Sequence, residues 1–330
     1  MNYSSAKDRA ARFVFFQQNK TTIIFTVKIL IAAGLLIYLV SSIEYNKIIG
    51  EIKKANLWLI GFVFLLGFVN IYLQYSKLRI TCNQVLEEND QPKIVTSLFY
   101  GFSAGIITPL RVGEYFGRAI AFKNKSLLKV TLATLIDKFF PLMIVAFLGS
   151  ISSILFIYIY YNTSNYIVLS LFIVLFTLFY LFALLLLSPR FWENILFSRL
   201  KKIKRLASLF EKLQTLKSLN RRYFFRMTII SLLFYCCFLI QYALLAAAFS
   251  HHYDILNFLW AGNLIMFVKT VIPPISLGEL GIREGASIYF LSTMGESSSV
   301  AFNASIFLFI INLLIPSLIG LILLLKKSND

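Results

Sequence analysis

Long runs of apolar residues, separated by short polar and basic segments, dominate the sequence. Each run is close to or longer than the roughly 20 residues that an α-helix needs to cross the hydrocarbon core of a bilayer. The pattern predicts six transmembrane helices, at Thr21–Ile43, Leu57–Tyr75, Leu127–Ile159, Tyr166–Leu187, Met227–Phe249 and Val300–Leu325.

Two further apolar stretches are interrupted by proline and glycine and then continue into charged residues. Ile94–Leu110 leads into a segment with Arg111 and Glu114, and Ile255–Leu277 leads into one with Glu279, Arg283 and Glu284. Because proline and glycine disfavour a continuous helix, each stretch is expected to form a helix, a break and a short second helix. We interpret them as re-entrant hairpins over 94–124 and 255–295, broken at Pro109, Gly113, Pro273, Pro274, Gly278 and Gly281.

Basic residues are distributed unevenly between the loops that these helices predict. If each hairpin enters and leaves on one side, one face of the membrane carries 19 Lys and Arg residues and the other carries three. Since basic loops stay in the cytoplasm, both termini are expected there, with the protein in a bacterial inner membrane. On the basic side, 198–219 mixes apolar and basic residues at helical spacing, which predicts an amphipathic helix on the cytoplasmic leaflet.

Composition favours a membrane protein over a soluble one. Hydrophobic residues make up 58% of the 330 residues and charged residues 14%, whereas a soluble domain carries about 25% charged residues. The net charge of +17 would suggest nucleic acid as the partner of a soluble protein, but basic residues between membrane helices contact anionic headgroups instead. The expected partners are therefore membrane lipids, with a second copy or a lipid-synthesising enzyme as further candidates.

Residue types that support catalysis or metal binding are not grouped in the sequence. The three cysteines have no disulfide or zinc spacing, and the two histidines are adjacent in one short loop. A phosphate-binding loop and a Ser–His arrangement are also absent from the sequence. We therefore expect no metal, no cofactor and no enzymatic activity, and any transport is expected to proceed without ATP.

The two hairpins are similar in sequence. Pro, Gly, Glu and Arg coincide when Pro109–Arg118 is placed over Pro274–Arg283, an offset of 165 in a chain of 330 residues. Each half then has three spanning helices and one hairpin, and an odd number of spans inverts the second half. This predicts an all-α polytopic membrane protein built as a 3+3 inverted repeat. The predicted divisions are an N-terminal segment (1–19), a first repeat (20–162), a second repeat (163–325) and a tail (326–330).

Charged residues inside the membrane segments form the candidate site. A short helix after a hairpin break directs free N–H groups and its positive dipole end toward mid-membrane, which favours a lipid phosphate. Arginine can bind phosphate through two hydrogen bonds, and an arginine in the membrane needs a carboxylate or a cavity beside it. The acidic residues either hold the hairpins together or change partner during transport. The candidate substrate-binding residues are Arg111, Glu114, Arg118, Asp137, Lys138, Ser276, Glu279, Arg283 and Glu284.

With these residues in view, the chain resembles the lysylphosphatidylglycerol synthase transmembrane-region family of flippase-like proteins. The resemblance rests on Gly101–Arg118 and Pro274–Glu284, where Glu279 stands in place of a glycine that is usual in the family pattern. It implies a lipid translocator. We expect no aminoacyl-transferase domain of the kind that some members carry, because little sequence follows the last span. Relatives are associated with varied lipids, so the resemblance leaves the lipid open.

The sequence thus favours a flippase or transporter that moves an anionic phospholipid or a lipid-phosphate-linked molecule between leaflets. One alternative is an integral-membrane enzyme, in which Arg111 and Arg283 bind a lipid phosphate and Glu114 or Glu279 acts as acid or base. Another is an accessory subunit of a lipid glycosyltransferase or synthase, whose hairpins would fill the core without an aqueous cavity.

Overall fold

The computed structural model describes residues 45–187, 221–250, 252–272 and 280–329, and the regular structure in these ranges is helical. The α-helices are α1 (Tyr45–Lys54), α2 (Leu57–Thr81), α3 (Gln91–Ile107), α4 (Gly113–Ala121), α5 (Leu127–Tyr160), α6 (Asn165–Leu187), α7 (Arg221–Ser250), α8 (Ile255–Val271), α9 (Ile282–Thr293), α10 (Ser298–Phe309) and α11 (Ile315–Asn329). The predicted span Thr21–Ile43, the amphipathic helix 198–219, and Pro273, Pro274, Ser276, Gly278 and Glu279 lie outside the described residues.

Polar side chains fix where several helices begin. Asn56, Asp90, Ser126, Asp254 and Ser297 each accept a hydrogen bond from a backbone N–H in the first turn, and they cap α2, α3, α5, α8 and α10. The backbone N–H groups of the first turn would otherwise lack a hydrogen-bond partner. The caps explain why apolar runs of similar composition are divided into separate helices at these points.

Five helical stretches are long and apolar enough to cross a membrane. They are Leu57–Leu86, Leu127–Tyr160, Asn165–Leu184, Arg221–Ser250 and Ser298–Lys326, and they correspond to five of the six predicted spans. Large apolar side chains stay exposed along them, among them Leu65 and Leu169, each 60% exposed. Continuous apolar surface of this kind is suited to lipid rather than water, so the protein belongs in a membrane.

The second span is longer than the sequence predicted. We expected it to end at Tyr75, which would place Lys77 and Arg79 in the following basic loop, but α2 continues to Thr81 and a π-helical turn extends it to Leu86. The Lys77 side chain is only 5% exposed because it pairs with Asp137, whereas Arg79 is exposed on the same helix. That prediction was wrong for Lys77, which is no longer counted among the basic residues of the loops. The excess of basic residues on that side of the membrane remains.

The first hairpin is a helix pair held by the C-terminal helix. α3 and α4 pack against each other, and α11 packs on α3. The hydroxyl of Ser103 donates to the Ser317 carbonyl at 2.6 Å, and the hydroxyl of Ser317 donates to the Phe102 carbonyl at 3.1 Å. A Cβ at Gly320 would lie 2.1 Å from the Phe99 carbonyl oxygen. Small residues therefore let the two backbones approach closely, and the end of the chain supports the first hairpin.

The second hairpin region packs into the larger apolar core. α8 and α9 contact each other, and both contact neighbouring helices of the second half. Phe258, Leu264, Leu291 and Leu308 are buried in this core. At the 165-residue offset, the first residue of α9, Ile282, corresponds to Gly117, whereas α4 already begins at Gly113. The two hairpins are thus not equivalent in helix position where the structure describes both.

Candidate functional site

Two glycines bring α4 against α3 and set the direction of its charged side chains. A Cβ at Gly113 would lie 2.1 Å from the Ala104 carbonyl oxygen, and a Cβ at Gly117 would lie 2.3 Å from that of Tyr100. The Ser97 hydroxyl also donates to the Arg118 carbonyl at 3.0 Å. This contact turns Glu114 and Arg118 toward the protein interior; both are 3% exposed.

The turn between α3 and α4 has a strained backbone. Leu110 and Arg111 are consecutive, and both have φ of 54°, a left-handed conformation that costs non-glycine residues about 1 kcal/mol or more. The Thr108 hydroxyl accepts a hydrogen bond from the Gly113 N–H at 2.6 Å and so closes the turn. α3 ends at Ile107 and α4 begins at Gly113, so the helix is interrupted in the segment for which the sequence predicts a break. The closed turn between α3 and α4 thus holds Arg111 about one helical turn before Glu114.

Glu114 lies at the centre of a cluster of cations. Its Oε1 accepts from the Arg118 guanidinium at 2.7 Å, while its Oε2 lies 2.5 Å from Lys138 Nζ and 3.2 Å from Arg111 Nη2. Lys138 reaches it from the neighbouring α5. One buried carboxylate thus fixes three cations, and its place in the first turn of α4 suits the positive end of the helix dipole.

Asp137 extends the cluster toward α2. It accepts from Arg118 Nη1 at 3.0 Å, and Lys77 Nζ lies 3.7 Å from its Oδ1 and 3.3 Å from its backbone oxygen. The charges therefore alternate from Lys77 through Asp137 and Arg118 to Glu114. Alternation lets charges stay buried in one place, since each carboxylate offsets the repulsion between its neighbouring cations.

Arg283 forms a separate network at the start of α9. Its Nη2 donates to Glu284 Oε1 at 2.6 Å, its Nε donates to the Ser305 hydroxyl at 3.0 Å, and its guanidinium lies 5.1 Å from the ring centre of Phe309. Glu284 is fully buried and accepts the Gly281 N–H at 2.6 Å. Gly281 has φ of 91°, which a side chain would disfavour. Glu284 thus both caps α9 and fixes Arg283.

A cavity of about 330 Å³ connects these networks. It is bordered by α2, α3, α4, α5, α7, α8, α9 and α10, by the turn between α3 and α4, and by the π-helical turn Ile310–Leu314. Among the described residues, its charged lining consists of Lys77, Arg111, Glu114, Arg118, Asp137, Lys138, Lys269 and Arg283. Six cations therefore face two carboxylates, and both halves of the chain contribute cations. A low-dielectric cavity with an excess of one charge attracts ligands of the opposite charge.

The structure brings six of the nine predicted site residues to one cavity. Arg111, Glu114, Arg118, Asp137, Lys138 and Arg283 line it, and Glu284 lies behind Arg283. Ser276 and Glu279 are outside the described residues. The structure pairs Lys138 with Glu114 and Asp137 with Arg118 and Lys77. No group of three or more His, Cys, Asp and Glu side chains that could hold a metal occurs within the described ranges.

Three polar residues of α2 border the cavity and were not among the predicted site residues. Asn70, Gln74 and Lys77 all line the cavity. Their spacings of four and three residues place them on one face of a helix, so the signal was present inside the apolar run. Lys269 on α8 also borders the cavity, with its Nζ 5.1 Å from the ring centre of Phe238.

The chain was compared with models of known protein families and with curated proteins. A family model described as the lysylphosphatidylglycerol synthase TM region matches residues 25–320. The matched range contains all eight charged residues of the cavity lining. None of the curated proteins with which the chain was compared matches it.

Proposed function

Because the chain belongs to the lysylphosphatidylglycerol synthase TM region family, we propose that it is a lipid transporter. It moves an anionic phospholipid, or a molecule linked to a lipid phosphate, between the two leaflets without ATP. In this proposal it lies in the inner membrane with both termini in the cytoplasm. The two hairpins are re-entrant, and the two halves form the inverted repeat around the cavity.

The observation that carries the proposal is the basic cavity between cations of both halves. Lys138 and Arg111 of the first half and Arg283 of the second half all line it. A phosphate group has several strong acceptor oxygens, and guanidinium and ammonium groups are its usual partners in proteins. The excess of cations over carboxylates in the described lining supports an anion as the guest, rather than a cation or a neutral solute.

The border of the cavity supports a lipid rather than a small soluble anion. Leu110 and Leu142 line the cavity, yet they are 55% and 45% exposed. On the outward face of α4, Phe116 and Ile120 are also exposed. A volume of about 330 Å³ holds a headgroup but not two acyl chains. In the proposed mechanism the headgroup enters beside Leu110 and Leu142 while the chains remain in the bilayer.

The cations divide by exposure into two roles in this proposal. The side chains of Lys138 and Arg111 are 32% and 22% exposed, whereas those of Arg118 and Lys77 are 4% and 5% exposed. Lys138 and Arg111 contact the phosphate, and they exchange part of their contact with Glu114 for it. Arg118 and Lys77 are positioning residues, because they hold Glu114 and Asp137 in place from behind.

Transport in liposomes tests the proposal. Purified protein is reconstituted without nucleotide, and a fluorescent phospholipid with an anionic or a zwitterionic headgroup is quenched from outside with dithionite. We expect protein to accelerate the movement of the anionic lipid more than that of the zwitterionic lipid. Lys138→Met should reduce the anionic rate about tenfold or more, since it removes a cation at the phosphate.

Lys123→Met is the matched control, because Lys123 is exposed in the loop after α4. It should transport as the unaltered protein does. Rates equal to those of protein-free liposomes across several anionic headgroups would contradict a flippase. Equal transport rates of the anionic lipid for Lys138→Met and Lys123→Met would contradict a role of the cavity in transport.

A further inference from the structure

A cluster of uncharged amide side chains lies beside the basic part of the cavity. Gln241 on α7 and Asn312 in the π-helical turn exchange two hydrogen bonds of 2.9 and 3.2 Å. The Asn70 side chain on α2 donates to Gln241 Oε1 at 3.3 Å, and the Gln74 side chain donates to Asn70 Oδ1 at 2.8 Å. Four amides from three segments therefore form one network, and the transport role of the cations does not account for it.

The members of this network differ in how their hydrogen-bonding groups are used. Gln241 is fully buried and bonds Asn70, Asn312 and the Val63 carbonyl, so it serves to join helices. Gln74 is only half-buried and borders the cavity. Within the part of the chain that the structure describes, its amide donates one hydrogen bond, to Asn70, and its carbonyl oxygen accepts none. Gln74 is held in position by the network and still has an acceptor and a donor for a ligand.

The position of Gln74 relative to the cations limits what that ligand can be. Gln74 lines the same cavity as Lys138 and Arg111, the two cations that contact the phosphate in the proposed function. A group that reaches Gln74 while these cations hold the phosphate must share a cavity of about 330 Å³ with it, so it lies within a few bonds of the phosphate. An amide both donates and accepts hydrogen bonds, and a hydroxyl group matches both properties.

We propose that Gln74, positioned by Asn70, is a specificity subsite for a hydroxyl group on the headgroup of the transported lipid. This inference rests on the proposed function and deepens it. The preferred substrate is a phosphodiester lipid whose headgroup carries at least one hydroxyl within a few bonds of the phosphate. A lipid with a bare phosphate or an alkyl headgroup leaves the Gln74 amide unsatisfied and binds less tightly.

Equilibrium binding to the purified full chain in detergent micelles tests the subsite without requiring transport. The two probes are phosphatidylglycerol and phosphatidylpropanol with identical acyl chains. Both are single-charge phosphodiesters, and their headgroups have the same three carbons, with and without hydroxyls. We expect the unaltered protein to bind phosphatidylglycerol about tenfold more tightly, which corresponds to about 1.4 kcal/mol. Equal affinity for the two lipids would refute the subsite and leave the proposed function standing.

Substitution at Gln74 separates recognition from packing. Gln74→Leu should lower the affinity for phosphatidylglycerol about tenfold, to the level of phosphatidylpropanol, with phosphatidylpropanol unchanged. Gln74→Met has the same expectation and serves if the leucine variant does not fold. A parallel loss for both lipids would show that the residue only supports the structure, and would overturn the proposal.

Tyr72→Phe is the control on the same helix. Tyr72 is 64% exposed, and the substitution removes a hydroxyl group that lies away from the cavity. It should keep the full preference for phosphatidylglycerol. Absence of binding for both lipids to the unaltered protein would count against the subsite and the proposed function together.

Discussion

Arg118→Met offers the sharpest test of the buried charge cluster. The change removes the guanidinium that joins Glu114 at 2.7 Å and Asp137 at 3.0 Å while keeping much of the side-chain volume. Glu114 keeps Lys138 and Arg111 as partners. Among the residues that the structure describes, Asp137 keeps only Lys77 as a cationic partner, and the Lys77 Nζ lies 3.7 Å from its carboxylate oxygen, beyond hydrogen-bonding distance. The variant therefore leaves one buried carboxylate poorly compensated.

The size of the effect follows from that single orphaned charge. Removing one partner of a buried ion pair costs about 3–5 kcal/mol. We expect a loss near the lower end, about 3 kcal/mol, since Lys77 still offsets part of the charge. The triple variant Lys77→Met/Arg118→Met/Asp137→Asn removes both the orphaned carboxylate and the lysine that would otherwise be left without it. It should therefore be more stable than Arg118→Met by about 1 kcal/mol or more, within the usual range for coupled neighbours.

Equilibrium unfolding in mixed detergent micelles, followed by tryptophan fluorescence, measures these differences. Lys93→Met is the control, because its ion pair with Asp90 is exposed, at 51% and 36% of the two side chains, and it should leave the midpoint unchanged. A triple variant that is less stable than Arg118→Met would refute the reasoning. So would a loss for Arg118→Met no larger than that for Lys93→Met.

Two further predictions concern packing and topology. Gly117→Ala should strongly reduce the yield of folded protein, because the added Cβ would lie 2.3 Å from the Tyr100 carbonyl oxygen. Gly285→Ala on α9 is the control and should be tolerated, because no atom lies within 4 Å of its added Cβ. Equal yields of the two variants in size-exclusion chromatography would contradict the close contact of α3 and α4. After replacement of Cys82, Cys236 and Cys237, a cysteine at Lys125 should react with an impermeant maleimide only from the cytoplasm, and one at Ser297 only from outside. Labelling of either from the opposite side would contradict the re-entrant hairpins and the inverted repeat.

The helical framework could be predicted from the sequence because its signals are local. Apolar runs and capping residues such as Ser126 and Ser297 give five of the predicted spans to within a few residues at most ends. The break at Pro109 and Gly113 could be predicted for the same reason, since both residues disfavour helix at their own position. We placed the end of α2 too early because a lysine after an apolar run is typical of a polar loop. The carboxylate of Asp137, which pairs with Lys77, is distant in the sequence and gives no local signal.

The site could be predicted as a set of charged residues but not as a set of pairs. Arg111, Glu114 and Arg118 are neighbours on one hairpin, so their proximity follows from helical spacing. The contact of Lys138 with Glu114, across 24 residues, depends on how α5 packs on α4. Asn70 and Gln241 are 171 residues apart, and a single sequence contains no signal that would bring two amides together over such a separation.

The position of a bound lipid phosphate is the most direct test of the central claim, which is that the basic cavity holds the headgroup. The measurement is an experimental structure of the protein saturated with an anionic phospholipid. The account predicts phosphate density inside the cavity, about 3 Å from Lys138 Nζ or the Arg111 guanidinium, with the acyl chains leaving beside Leu110 and Leu142. Lipid phosphates found only at the outer surface of the helices, with the cavity filled by water, would contradict it.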